Sequence, residues 1–285
     1  MISRVIAYIR LIRPSAPILM GIVTFIGQMV TLKFIPYFDL VLFPFLTSFF
    51  LTASSFVVND YLDVEIDCIN RPNAPIPSGV VSRESALYFG ILLFVLGFVS
   101  SIMLNLSAML IALSTYILSI LYSLYGKRYG LLGNIIVAYC VSIAFVFGSI
   151  SATGLVDSIV IAIFILSFFA NLGREITQSI SDMEGDKVKG VRSIAILYGS
   201  RTAAIVASAC YFITVFFGPI MFLHLSNKLD FIRTSFVIAS EIGFFYSIFF
   251  LLKDPSKDRA LKTVKQVNFW TIVVLVIVAL IGFYF

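Results

Sequence analysis

Two short acidic segments contain the residues whose types and spacing could do chemistry. The first, NDYLDVEID, follows a long apolar run and contains Asn59, Asp60, Asp63 and Asp67. Asn59, Asp63 and Asp67 recur every four residues, which predicts that they share one face of a helix continuing past the apolar run. Carboxylate and amide oxygens, completed by water and substrate phosphates, are the ligands that magnesium prefers. This segment therefore predicts a magnesium site.

The second segment, SDMEGD, repeats this arrangement in the other half of the chain. Asp182 and Asp186 lie four residues apart, again after an apolar run. Two such clusters could hold one diphosphate from opposite sides, and bound metal ions would make it a good leaving group by stabilising its developing charge. A single acidic pair is also typical of a solvated helix end, so the first segment is the stronger signal. We expect two magnesium ions, and an allylic prenyl diphosphate held in this way would ionise.

The rest of the chain is apolar enough to place it in a membrane. Of its 285 residues, 60% are hydrophobic and 12% charged, and the mean hydropathy is +1.05. Soluble domains are roughly 25% charged. Nine apolar runs approach the length of about 20 residues that spans a bilayer: 16–34, 40–58, 86–104, 106–125, 133–153, 155–173, 202–223, 232–252 and 267–285. The sequence predicts an all-α membrane protein with about nine transmembrane helices.

The distribution of basic residues predicts the orientation of these helices. Most Lys and Arg residues lie in the amino-terminal segment and in the loops after the second, fourth, sixth and eighth runs. The positive-inside rule makes that side cytoplasmic. We therefore expect a multi-pass protein of the cell membrane, with its amino terminus and both acidic segments facing the cytoplasm. The net positive charge follows from the same bias and requires no nucleic-acid partner.

Basic residues close to the acidic segments could contact phosphate oxygens. Arg71 follows the first segment, Lys187 follows the second, and Lys127 ends the fourth run shortly after Tyr122. Arg binds phosphate in a bidentate manner, whereas Lys acts as a point charge. The positive-inside bias alone also explains basic residues at such positions. Spare basic residues that could contact the phosphate of a second substrate are Arg13, Arg174 and Lys189.

Four segments carry a family resemblance, and they occur in the order NDYLDVEID, NRPNAPIPSG, LYSLYGKRYGLLGN and REITQSISDMEGD. Together they resemble the UbiA superfamily of intramembrane prenyltransferases, whose pattern is NDxxDxxxD, NRPxRPxPSG, a Tyr-Lys pair and REIxxDxxDxxGD. The chain departs from this pattern in three places. Ala74 replaces a common basic residue, Ser179 and Ser181 replace common acids, and Tyr122 precedes Lys127 by five residues where some members have four.

The resemblance implies a fold and a set of site residues. The fold is a single UbiA-like bundle over residues 1–285, with a cytoplasm-facing central cavity and cytoplasmic caps around 59–85 and 174–200. The implied ligands are Asn59, Asp63 and Asp67 for one magnesium ion and Asp182 and Asp186 for the other. Tyr122 would lie near the reacting carbon and would act in catalysis with Lys127 and the four metal-binding aspartates. The implied contacts to the substrate and its diphosphate are Asn59, Asp60, Arg71, Lys127, Arg174, Lys187 and Lys189.

Within the superfamily, the short chain is most similar to an archaeal branch that makes ether lipids. That similarity implies transfer of a geranylgeranyl group from geranylgeranyl diphosphate to the glycerol hydroxyl of geranylgeranylglyceryl phosphate. The expected partners are these two lipids and the membrane, with no protein partner.

Other functions remain open from the sequence. An aromatic acceptor, as in quinone or menaquinone biosynthesis, would use the same machinery. A lipid or small-molecule transporter would place its polar residues near the bilayer midplane, where the runs contain Gln28, Asn171 and Glu241 but no charged network. A CDP-alcohol phosphotransferase would require a DGxxAR segment, which the sequence lacks.

Overall fold

The computed structural model describes residues 2–188, 190–225 and 231–282. Within these segments the chain forms twelve helical elements, one of which is interrupted by non-helical backbone at Gly199, and one 3-10 turn at Gly126–Tyr129. The helices are α1 (Ile2–Ile12), α2 (Ser15–Leu32), α3 (Phe38–Leu62), α4 (Val64–Asn70), α5 (Arg83–Ile102), α6 (Leu106–Leu124), α7 (Leu131–Thr153), α8 (Ser158–Ser181), α9 (Met183–Val188), α10 (Ile194–Leu225), α11 (Phe231–Lys253) and α12 (Lys257–Gly282).

Seven of the described helices are long and apolar enough to cross a membrane: α2, α3, α5, α6, α7, α8 and α10. Each coincides with one of the first seven predicted apolar runs. Helices α11 and α12 lie at the eighth and ninth runs. The prediction of an all-α, multi-pass membrane protein is confirmed, whereas the count of nine spans stays a prediction.

Residues at the helix ends explain two tight connections, one between α5 and α6 and one between α7 and α8. Asn105 caps α6, because its side chain accepts a hydrogen bond from the backbone N–H of Ala108 at 3.0 Å. Gly154 ends α7 with a φ of 78°, a left-handed conformation that glycine adopts without strain. The Asn105 side chain also donates to the carbonyl of Ile150 at 2.7 Å. That bond joins the α5–α6 and α7–α8 connections at one end of the bundle.

Glycines allow α2 and α7 to pack backbone against backbone. A Cβ atom at Gly148 would lie 2.1 Å from the carbonyl oxygen of Thr24, and one at Gly27 would lie 2.3 Å from that of Phe145. Small residues commonly permit this close approach between membrane helices. The α2–α7 pair therefore tolerates no side chain at either glycine without moving a helix.

Candidate active site

Each acidic segment lies where a long helix gives way to a short one. Asp63, with φ −90° and ψ 6°, separates α3 from α4. Asp182, with φ −94° and ψ 0°, separates α8 from α9 in the same way. The predicted continuous helix through the first segment is therefore wrong, because the backbone leaves helical geometry at Asp63. The same local design occurs twice in the chain.

The first segment presents its polar side chains on two different faces. The Asn59 amide donates to the Asp63 carboxylate at 3.1 Å, and Ser123 of α6 donates to the Asn59 side-chain oxygen at 3.1 Å. These two members of the predicted ligand set lie together. Asp67 is instead buried and paired with Arg71. Asp67 therefore lies beside Asp60, because both carboxylates contact Arg71.

Arg71 and Arg13 converge on the second face, around Asp60. Arg71 binds both carboxylate oxygens of Asp67, through Nε at 3.2 Å and through Nη2, and Nη2 also lies 3.3 Å from Asp60 Oδ1. Arg13 donates to that same Asp60 oxygen at 2.6 Å. Burial opposes the positive charge of Arg71, but hydrogen bonds and charges from Asp67 and Asp60 outweigh it and raise the Arg71 pKa. Arg71 is therefore a permanent cation at this site.

The second segment has an amide partner, Gln178, that the motif-based prediction missed. Gln178 donates to Asp182 Oδ2 at 2.8 Å, and Ser181 donates to Asp182 Oδ1 at 3.2 Å. Gln178 precedes Asp182 by four residues, as Asn59 precedes Asp63. That spacing was the signal that could have identified Gln178. The backbone N–H of Asp186 bonds to the carbonyl of Asp182 at 2.9 Å, which places both acids on consecutive turns.

Tyr122 lies near the end of α6, next to Ser123, whose hydroxyl bonds to Asn59 of the first acidic segment. Glu175, Asp63 and Asp186 are all within electrostatic range of its hydroxyl. A Cβ atom at Gly133 would lie 3.2 Å from Tyr122 Cε2, which shows that the start of α7 packs against the ring. Glu175 is a further acid that the motif-based prediction missed, although it belongs to the REI sequence before the second segment.

Loop contacts bring the remaining parts of the site to the same end of the bundle. Gly130, which follows the 3-10 turn, has a φ of 48°, and a Cβ atom there would lie 1.9 Å from the carbonyl oxygen of Arg192. Lys257 at the start of α12 donates to Glu184 of α9 at 3.0 Å. The prediction that both acidic segments lie at one end is consistent with these contacts, while the cytoplasmic assignment of that end stays a prediction.

The predicted phosphate contacts have different surroundings. Lys187 is exposed at the end of α9. Arg174 pairs with the adjacent Glu175 at 2.6 Å. Lys189 and the side chain of Lys127 lie outside the described residues, so their predicted roles stay predictions.

The oxygen-rich side chains fit magnesium that is shared with a substrate. Within the described part of the chain, no group of three or more His, Cys, Asp or Glu residues could hold a metal ion by itself. Magnesium usually keeps several waters and binds through one or two carboxylates plus substrate phosphates. The Asn59–Asp63 pair and the Asp182–Asp186 pair supply hard oxygen ligands of this number and type. They are therefore the residues that would hold the metal.

Membrane-length helices and two acidic segments at one end of the bundle are the features that define the class of this protein. Comparison with protein families matches residues 20–273 to the UbiA prenyltransferase family, and the chain belongs to that family. The resemblance predicted from the four sequence segments is confirmed.

Individual relatives and solved structures are similar to the chain over most of its length. The chain is 36% identical to the digeranylgeranylglyceryl phosphate synthase of Pyrococcus horikoshii over 209 residues, 73% of this chain and 75% of the relative. A solved structure from work on digeranylgeranylglyceryl phosphate synthase in membranes has a TM-score of 0.83 at 30% identity and covers 99% of this chain and 100% of its own. A UbiA homologue from Archaeoglobus fulgidus bound to GPP and Mg²⁺ shares the fold, with a TM-score of 0.70, 20% identity and coverage of 95% and 99%.

The hydrogen bond from Gln178 leads to a testable prediction about magnesium. In Gln178→Ala, the Asp182 carboxylate loses the amide that orients it. Loss of an outer partner of a metal ligand typically lowers metal affinity or activity by 10- to 100-fold. We expect the magnesium concentration for half-maximal prenyl transfer to rise about 10-fold. An unchanged magnesium dependence in a variant with reduced turnover would show that Gln178 supports the fold only.

Proposed function

We propose that the protein transfers a geranylgeranyl group from geranylgeranyl diphosphate to the glycerol hydroxyl of geranylgeranylglyceryl phosphate, with magnesium as cofactor. The observation that carries this proposal is that the two acidic segments, from separate halves of the chain, lie at one end of the bundle beside the end of α6. Ser123 of α6 bonds to Asn59 at 3.1 Å, and Gly130, just after α6, packs against Arg192, just after α9. Two acid pairs at one end of the bundle suit a diphosphate held from both sides. The choice of acceptor is supported by relatives that are named as digeranylgeranylglyceryl phosphate synthases.

The acidic segments divide the binding of the diphosphate between them. Asn59, Asp63 and Asp67 would hold one magnesium ion, and Asp182 and Asp186 would hold a second. Bound magnesium neutralises charge on the diphosphate and so makes it a better leaving group. The side chains proposed to contact the diphosphate oxygens directly are those of Arg71, Lys127, Lys187 and Lys189.

Transfer follows from breaking the allylic C–O bond of the donor. The bonding electrons leave with the diphosphate, the acceptor oxygen attacks the allylic carbon, and the hydroxyl proton is released as the new C–O bond forms. Tyr122 is next to Ser123, which bonds to Asn59 of the first acidic segment, and ring faces attract cations. Tyr122 is therefore placed to stabilise positive charge on the allylic carbon.

The orientation in the membrane follows from the supply of substrates. Soluble phosphorylated metabolites and magnesium are cytoplasmic, which agrees with the charge bias that places the amino terminus and the mouth of the site on that side. Residues 1–285 act as one domain, with the segments around 59–85 and 174–200 capping the site.

A panel of acceptors tests this function. Purified protein in vesicles receives geranylgeranyl diphosphate, magnesium and one acceptor at a time, and the lipids are identified by mass analysis. We expect digeranylgeranylglyceryl phosphate from geranylgeranylglyceryl phosphate. Product only from an aromatic acceptor would replace this proposal with a role in quinone biosynthesis. Counterflow of a labelled prenyl lipid without conversion would indicate a transporter.

A further inference from the structure

Arg13 occupies a fixed and unusual position at the junction of α1 and α2. Its backbone φ is 48°, a value uncommon for residues other than glycine. Its side chain donates to buried Asp60 at 2.6 Å, and the guanidinium lies 5.1 Å from the centroid of the Phe56 ring. The side chain is nevertheless 37% exposed. Arg13 is therefore held in place and still open to a ligand.

Asp60 brings two guanidinium groups side by side. Its Oδ1 atom accepts hydrogen bonds from both Arg13 and Arg71. One carboxylate balances only one of these two cations, and Arg71 is otherwise balanced by Asp67. The two arginines and the two aspartates are together neutral. A magnesium ion bound to Asp67 would leave Asp60 as the one carboxylate for both arginines, and the pair would then carry a net positive charge.

The chemistry of the acceptor requires such an arrangement. Glycerol has three carbons, so the attacking hydroxyl is at most two carbons from the carbon that bears the phosphate. The acceptor phosphate must therefore lie close to the donor diphosphate during transfer. Neighbouring anions repel strongly when they are partly removed from water. A productive complex needs a separate cation for the acceptor phosphate beside the cations that hold the diphosphate.

Two other basic residues near the site, Arg174 and Lys187, fit this role less well. Arg174 lies 2.6 Å from the carboxylate of Glu175, which neutralises it within the same helix. Lys187 is exposed at the end of α9 and directly follows the proposed metal ligand Asp186. Arg13 differs from both, because its one carboxylate partner is shared with a second arginine.

We propose that Arg13 binds the phosphomonoester of the lipid acceptor, while Arg71 contacts the donor diphosphate and Asp60 sets the distance between them. This inference rests on the proposed function. A guanidinium can bind a phosphate through two parallel N–H···O bonds. Asp60 acts in this arrangement as a positioning residue for the two arginines and contacts neither substrate.

The test compares two acceptors, geranylgeranylglyceryl phosphate and the same lipid without its phosphate. The kcat/KM ratio for the two acceptors is measured in wild type, Arg13→Gln, Arg13→Lys and the control Arg10→Gln, which alters an exposed arginine of α1. We expect Arg13→Gln to lower kcat/KM about 10- to 100-fold for the phosphorylated acceptor only. Arg13→Lys should retain part of the preference, and Arg10→Gln all of it.

Equilibrium binding of the phosphorylated acceptor, without donor, gives a second readout that does not depend on turnover. Binding should weaken by a similar factor in Arg13→Gln. An equal loss of kcat/KM for both acceptors, with unchanged acceptor binding, would show that Arg13 only supports Asp60 and would overturn the inference. If the wild-type protein converts neither acceptor, the proposed function itself fails, and the inference fails with it.

Discussion

Asp63→Asn is expected to lower the rate of prenyl transfer by about 10³-fold, which corresponds to about 4 kcal/mol of transition-state stabilisation. Asparagine has nearly the same shape as aspartate but lacks the charge that holds magnesium against the diphosphate. Asp63 lies at the break between α3 and α4 and accepts a hydrogen bond from Asn59 at 3.1 Å. The measurement is turnover of labelled geranylgeranyl diphosphate, with thermal unfolding in detergent as a check on the fold.

Glu65 offers a matched control within the same segment. It is exposed, and Glu65→Gln removes one negative charge two residues from Asp63. We expect this variant to keep transfer within about twofold of wild type, since surface substitutions away from a site usually have small effects. Asp182→Asn should lose as much activity as Asp63→Asn. Near-normal turnover in either aspartate variant would exclude a metal-binding role for that residue.

Gly130→Ala is expected to destabilise the protein by about 3 kcal/mol and to reduce transfer strongly. Gly130 has φ 48° and ψ −104°, a conformation that side chains disfavour. The added methyl group would also lie 1.9 Å from the carbonyl oxygen of Arg192, a backbone atom that cannot rotate away. The contact joins the turn after α6, which follows Tyr122, to the segment after α9. Thermal unfolding in detergent and turnover would report both effects.

Gly154→Ala is a control that introduces backbone strain, as Gly130→Ala does, but no steric clash. Gly154 also has a positive φ, of 78°, but no atom lies within 4 Å of an added Cβ. Its expected destabilisation is about 1 kcal/mol, the usual cost of a left-handed conformation, with transfer unchanged. Equal destabilisation by the two substitutions would mean that the Gly130–Arg192 contact contributes nothing.

Much of the fold could be predicted because hydropathy and chain breakers determine it locally. The first seven apolar runs all correspond to helices long enough to cross a membrane. Asn105 and Gly154 end or begin helices as their chemistry predicts. Helix extensions beyond the apolar runs were harder to predict. Helix α8 continues past the apolar run to Ser181, and Ile176 and Ile180 of this extension are buried.

The chemical identity of the site could be predicted, but only part of its internal pairing could. The spacing of Asn59 and Asp63 predicts their shared face, and the structure confirms it. The ion pair of Asp67 with Arg71 matches their i,i+4 spacing, whereas the contact of Arg71 with Asp60, 11 positions away, crosses the break at Asp63 and has no such local signal. Arg13 lies 47 positions from Asp60 in the chain. A contact at that separation depends on how α1, α2 and α3 pack, which sequence spacing cannot reveal.

The central claim is that both acidic segments hold one magnesium diphosphate. The most direct test is binding of geranylgeranyl thiodiphosphate, an analogue that is slow to ionise, with and without magnesium. Wild type, Asp63→Asn, Asp182→Asn and the double variant are compared. We predict that each single variant loses most of the magnesium-dependent affinity, about 30-fold, and that the double variant loses much less than the product of the two effects. Wild-type magnesium-dependent binding in either single variant would contradict the claim.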